Sequence, residues 1–106
     1  MQDRNYFFKN FIKEIILKRK NNIENLILKN YEPNFFSVLD VSEQHRGHLN
    51  FKEGVESHFE IIIVSEKFIN LSRVERHRMV NQTLKEEFLS DLHSVVLKTY
   101  TSEEYR

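Results

Sequence analysis

The 106-residue sequence contains no cysteine. A disulfide framework, a zinc site built on thiolates and a cysteine nucleophile are thereby excluded, and any thiol must come from a partner. Glycine and proline are almost as scarce, at two and one. The sequence holds no phosphate-cradling glycine loop and no Gly-x-Ser-x-Gly elbow, so an enzyme is not expected. No apolar run approaches the roughly 20 residues that span a bilayer, and the start lacks the apolar core and small-residue cleavage site of a secretory signal. Stable membrane insertion is not expected, and the cytoplasm or the mitochondrial matrix is the expected compartment.

Net charge is also absent, with 16 basic and 16 acidic residues, but the charges are unevenly placed. Residues 1–22 carry six basic groups against Asp3 and Glu14, a balance of 6 − 2 = +4, which leaves −4 for residues 23–106. The body therefore lacks the strong basic footprint of a dedicated DNA-binding surface. What is present is an ordinary globular composition, 40% hydrophobic and 30% charged. At this length a single domain buries roughly two thirds of its unfolded surface and needs no disulfide or structural metal. We expect one monomeric domain over residues 21–106, preceded by a helical extension over 1–20.

Phe7, Phe8, Phe11, Ile12, Ile15 and Ile16 recur at helical spacing, and Ile23, Leu26 and Ile27 resume in nearly the same phase until Pro33 stops the pattern. The extension is basic and amphipathic; a targeting stretch, a helix packed on the domain and membrane-surface contact all fit it. Residues 35–41 and 58–65 are rich in aromatic and β-branched types and predict two strands. The polar stretch between them, residues 42–57, holds both glycines and is long enough to be a binding loop. Ser72-Arg73-Val74-Glu75 is a capping box, and Val74, His77, Val80, Leu84, Phe88 and Leu92 follow as one apolar helical stripe. Residues 93–100 return to strand character, and Thr101-Ser102-Glu103-Glu104 repeats the capping pattern, which predicts a short terminal turn.

The order helix, strand, strand, helix, strand predicts an α+β fold. Its three-stranded mixed sheet has an antiparallel first pair, a right-handed crossover to a parallel third strand, and helices on one face.

Several segments resemble the BolA family in the same order: Ser57-His58-Phe59 leading into Ile61 to Ser65, then Phe68, Arg76-His77-Arg78-Met79-Val80, Leu84 with Glu86-Glu87, and His93 through Thr99-Tyr100-Thr101. The resemblance covers residues 21–106 and implies a fold similar to a type II KH domain. It also implies a heterodimer with a monothiol glutaredoxin, in which the two proteins share a [2Fe-2S] cluster in iron-sulfur cluster assembly, delivery or iron regulation. One ligand from the BolA side would be a histidine at the start of the last strand, which maps onto His93. The other lies in the loop between the first two strands and falls on His45, with His48, three residues later, as the alternative. The remaining ligands would be the glutaredoxin cysteine and its bound glutathione, so no cluster is expected on the isolated chain.

Neutral imidazole is a suitable iron ligand, and replacing two of four thiolates by histidines removes negative charge and raises the cluster potential. Of the other histidines, His77 sits in the middle of the apolar stripe and is expected to be packed. His58 opens a strand, where a hydrogen bond fixing the loop end is expected. Lys67, Arg73, Arg76 and Arg78 cluster around the start of the middle helix and suit an acidic partner or nucleic-acid phosphates. Neither glycine stands in the Gly-x-x-Gly pattern with which KH domains grip nucleic acid, yet a DNA-binding transcriptional regulator is the alternative function.

Overall fold

The computed structural model describes residues 19–41, 58–88 and 94–106. Helix α1 occupies residues 19–31, strand β1 Phe35–Asp40 and strand β2 His58–Val64. A 3₁₀ turn over Glu66–Phe68 leads to α2 (Arg73–Thr83), the short α3 (Lys85–Phe88) and β3 (Ser94–Tyr100). The sheet order is β1-β2-β3, with β1 antiparallel and β3 parallel to the central β2. This is the predicted α+β arrangement.

Alternation along the strands divides the sheet into two faces. Val38, Phe59, Ile61 and Ile63 are buried against Ile23, Ile27 and Tyr31 of α1 and Val80 of α2, with Leu84 and Phe68 completing the core. Ile23, Ile27 and Tyr31 recur every four residues, so one narrow stripe of α1 enters this core. The opposite face is far more open: Leu39 and Val96 are exposed there, as is Phe35, on which Tyr105 stacks at 5.4 Å.

The junction between α1 and β2 is held by polar groups that are themselves buried. Ser65 Oγ donates to the Tyr31 carbonyl at 2.6 Å and accepts from Lys67 N at 3.1 Å. One hydroxyl thus closes the end of α1 and caps the 3₁₀ turn. Tyr31 Oη bonds Thr83 Oγ1 at 2.7 Å, and its ring lies 5.5 Å from that of Phe68. Burial of the phenol raises its pKa above the ordinary tyrosine value.

The middle helix departs from the expected stripe in three ways. Val74 is 57% exposed, while Arg76 is only 8% exposed and turns inward. His77 is half-buried rather than a core residue. The helix also breaks at Leu84, whose amide reaches Val80 O and Gln82 O, and a separate turn of helix follows. The capping box that starts α2 is formed as expected: Glu75 N donates to Ser72 Oγ at 3.1 Å, and Ser72 N donates to Glu75 Oε2 at 2.7 Å. The second capping pattern also forms, with Thr101 N donating to Glu104 Oε1 at 2.6 Å and Glu104 N to Thr101 Oγ1 at 3.3 Å.

Candidate functional site

Pairing at one end of the sheet brings three chain segments together. Val41 N donates to His58 O at 2.9 Å, which ties the two feet of residues 42–57 to each other. His58 is in turn the register partner of Ser94, the first residue of β3. Adjacent strands lie about 5 Å apart, so Val41, His58 and Ser94 span roughly 10 Å across the sheet end. His93 directly precedes Ser94. His45 is four residues beyond Val41, a reach of at most about 14 Å, and His48 is seven beyond it, a reach of at most about 25 Å.

His45, His48 and His93 themselves lie outside the described residues, as does the whole expected binding loop. Connectivity nevertheless allows His93 and either loop histidine to meet at this end of the sheet. His58 is buried there and has an interaction partner. Among the described residues, no three histidine, aspartate or glutamate side chains gather as a metal site.

The four basic residues expected at the start of the middle helix separate into two kinds. Arg73 and Arg78 are exposed, and Lys67, also exposed, donates from Nζ to Asn30 O at 3.0 Å. Arg76 is instead a structural clamp. Its Nε donates to Leu71 O at 2.9 Å, Nη1 to Thr99 O at 3.2 Å and to Glu104 Oε1 at 2.7 Å, and Nη2 to Glu104 Oε2 at 3.3 Å. The guanidinium also lies 5.7 Å from the centre of the Phe68 ring. With all three nitrogens committed, Arg76 has little to offer a phosphate or an acidic partner. The Arg76 guanidinium and the Thr101 amide hold the Glu104 carboxyl at about 2, well below the usual carboxylate range.

Glu104 and Thr99 carry this end of the molecule, and neither was singled out from sequence as a contact of the middle helix. The Thr101-to-Glu104 capping pattern does reveal that Glu104 turns back toward its own backbone. Its bidentate contact with a residue 28 positions earlier leaves no local signal. Nearby, the Ser102 side chain and then its amide, which donates to Glu66 Oε1 at 3.1 Å, lower the Glu66 carboxyl pKa, and Ser102 Oγ reaches Asn34 Oδ1 at 2.9 Å.

A family model described as BolA-like protein matches residues 27–104. A DNA-binding transcriptional regulator BolA of Vibrio cholerae is 39% identical, covering 79% of this chain and 76% of the relative. Its Escherichia coli counterpart is 36% identical, covering 81% and 78%. Among solved structures, the BolA domain of SufE1 from Arabidopsis thaliana superposes with a TM-score of 0.73 at 34% identity, covering 81% of this chain and 94% of that one.

Proposed function

This chain belongs to the BolA-like protein family, and from that membership we propose that it is an adaptor that binds a monothiol glutaredoxin and co-ligates a [2Fe-2S] cluster. Its role is cluster assembly, delivery or iron regulation, in the cytoplasm or the mitochondrial matrix, and it is not an enzyme. The observation that supports this reading most is the pairing of His58 with both Val41 and Ser94, which anchors the loop bearing His45 and His48 beside the strand that His93 introduces. Both proposed donors are thereby linked in sequence to strand ends that share one end of the sheet.

The donor set fits that task. This chain offers imidazole and no thiolate, so it can complete a cluster site only with a partner that brings sulfur. In this reading His93, which directly precedes β3, and a histidine of residues 42–57 supply the two donors from this chain. The cluster, when shared, would supply electron storage and a transferable iron-sulfur unit. Mixing the protein with cluster-loaded monothiol glutaredoxin is expected to change the visible absorption and circular dichroism of the cluster. His93→Ala is expected to abolish that change. An unchanged spectrum with the unsubstituted protein refutes the adaptor role.

A second reading is favoured by the names of the Vibrio and Escherichia relatives, which are DNA-binding regulators. Here Lys67, Arg73 and Arg78 would contact phosphates, and affinity would fall steeply with salt. Neutralising Arg73 and Arg78 together is expected to weaken duplex binding and flatten its salt dependence. Affinity indifferent to both charges removes this reading.

A further inference from the structure

At the end of the sheet away from His58 and Ser94, the outer edge of β3 runs beside α2 and leaves a cleft. Six strand steps separate Ser94 from Tyr100, about 20 Å at the usual rise. The cleft holds about 260 Å³ and is lined by Arg73, His77, Leu97, Lys98, Thr99 and Tyr100. A second cleft of about 330 Å³ shares Arg73, Thr99 and Tyr100 with it.

The backbone of β3 supplies the pairing groups. Tyr100 O accepts from Ser65 N at 2.9 Å, so Tyr100 turns its backbone groups toward β2. In a parallel pair these directions alternate. Val96 and Lys98 therefore also face β2, while Val95, Leu97 and Thr99 turn their N–H and C=O groups to the outer edge. Donation from Arg76 Nη1 to Thr99 O agrees with that phase and occupies one outward carbonyl. Among the described residues no further strand pairs with β3, which leaves the outward amides of Leu97 and Thr99 and the carbonyl of Leu97 as pairing groups for an added strand. Thr99 is 9% exposed and lines both clefts, and its Oγ1 is buried without a hydrogen-bond partner. A buried hydroxyl with no partner costs free energy that an incoming polar group would recover.

Charge selects the occupant. Arg73, His77 and Lys98 flank the cleft. Glu104, the carboxylate that lines the second cleft, is engaged by Arg76 and the Thr101 amide, and Glu75, two residues from Arg73, accepts from the Ser72 amide. A second copy of this chain paired edge to edge would bring the same basic residues against each other. We propose that the outer edge of β3 and its cleft with α2 bind an extended acidic peptide segment, which adds as a fourth strand beside Leu97 and Thr99 and places its carboxylates near Arg73 and Lys98. This docking surface lies apart from the shared-cluster end and does not depend on the adaptor reading.

The test is to pan a displayed library of random ten-residue peptides on the full chain, with an Arg73→Glu/Lys98→Glu variant as counter-bait. Both substituted side chains are exposed, so the fold is expected to survive. The selected peptides are then titrated with and without N-methylation of alternate amides, with backbone amide NMR as the readout. We expect Asp- and Glu-rich sequences whose affinity falls at least tenfold on charge reversal and at least tenfold on N-methylation in one alternation phase. The Leu97 and Thr99 amides should shift and exchange more slowly. Failure to select any peptide, selection without acidic bias, or binding indifferent to N-methylation overturns the proposal. A single-stranded ten-nucleotide DNA that moves the same amides and binds more tightly than every selected peptide also overturns it, and assigns the cleft to nucleic acid.

Discussion

Replacing Arg76 by methionine keeps an unbranched side chain of similar reach and removes every hydrogen bond of the clamp. Three acceptors lose the Arg76 guanidinium: the carbonyls of Leu71 and Thr99, and the carboxylate of Glu104, which keeps only the Thr101 amide. A hydrogen bond to a charged group contributes roughly 1.5–3 kcal/mol, and the lower end applies where water can replace the lost partner. Leu71, Thr99 and Glu104 all line the 330 Å³ cleft, so water has a path to them. Counting only the two backbone carbonyls at the lower end gives a loss of about 3 kcal/mol. For a domain of this size that corresponds to a fall in Tm of roughly 12–24 °C. Urea denaturation followed by far-ultraviolet circular dichroism measures the loss directly, with the slope expected to stay constant. Arg73→Met and Arg78→Met, on exposed side chains, should each stay within about 0.5 kcal/mol of the parent. A loss below 1 kcal/mol for Arg76→Met would refute the clamp and return Arg76 to the set of surface contacts.

Ser65→Ala should cost about 2 kcal/mol, because it strips a buried carbonyl at the end of α1 and the cap of the 3₁₀ turn together; an unchanged urea midpoint would contradict this. Glu32 has a φ of 43° just after α1, a conformation that glycine adopts without steric cost. Glu32→Gly should therefore raise stability by about 0.5–1 kcal/mol in the same assay. The folded-state pKa of Glu104 is depressed from 4.5 to about 2, so its contribution is complete above the unfolded value and is lost as pH falls through the folded one. The stability difference between the parent and Glu104→Gln should be full above about pH 5, shrink as pH falls and vanish only below about pH 2, and a pH-independent difference would exclude the linkage.

Strand composition and the two capping boxes made most of the fold legible. Val38, Ile61 and Ile63 alternate as a half-buried sheet requires, and Ser72 with Glu75 marks the start of α2 to the residue. Periodicity misled where a long cation took a core position. Val74 fits the apolar stripe by type, yet Arg76 is the inward residue because its guanidinium meets carbonyls and a carboxylate that only the tertiary fold assembles. The division of the helix at Leu84 was hidden for a related reason, since the apolar phase runs through Leu84 to Phe88 and does not reveal the backbone break. At the candidate site, the strand ends flanking residues 42–57 and His93 were readable from composition. That they share one end of the sheet follows from the parallel pairing of β2 with β3.

The bond between Val41 and His58 also makes the two halves of the proposed ligand set unequal under mutation. With its base shut by the sheet, the stretch between them can grow, shrink or exchange its donors while the strands stay in place. Doubling its length would cost only about 0.6 kcal/mol of closure entropy. Within β3, from Ser94 onward, there is no such latitude, since one added or deleted position would turn the following side chains over. Under the proposed ligation, changes of donor should therefore accumulate within residues 42–57, with the paired strands serving as the fixed reference.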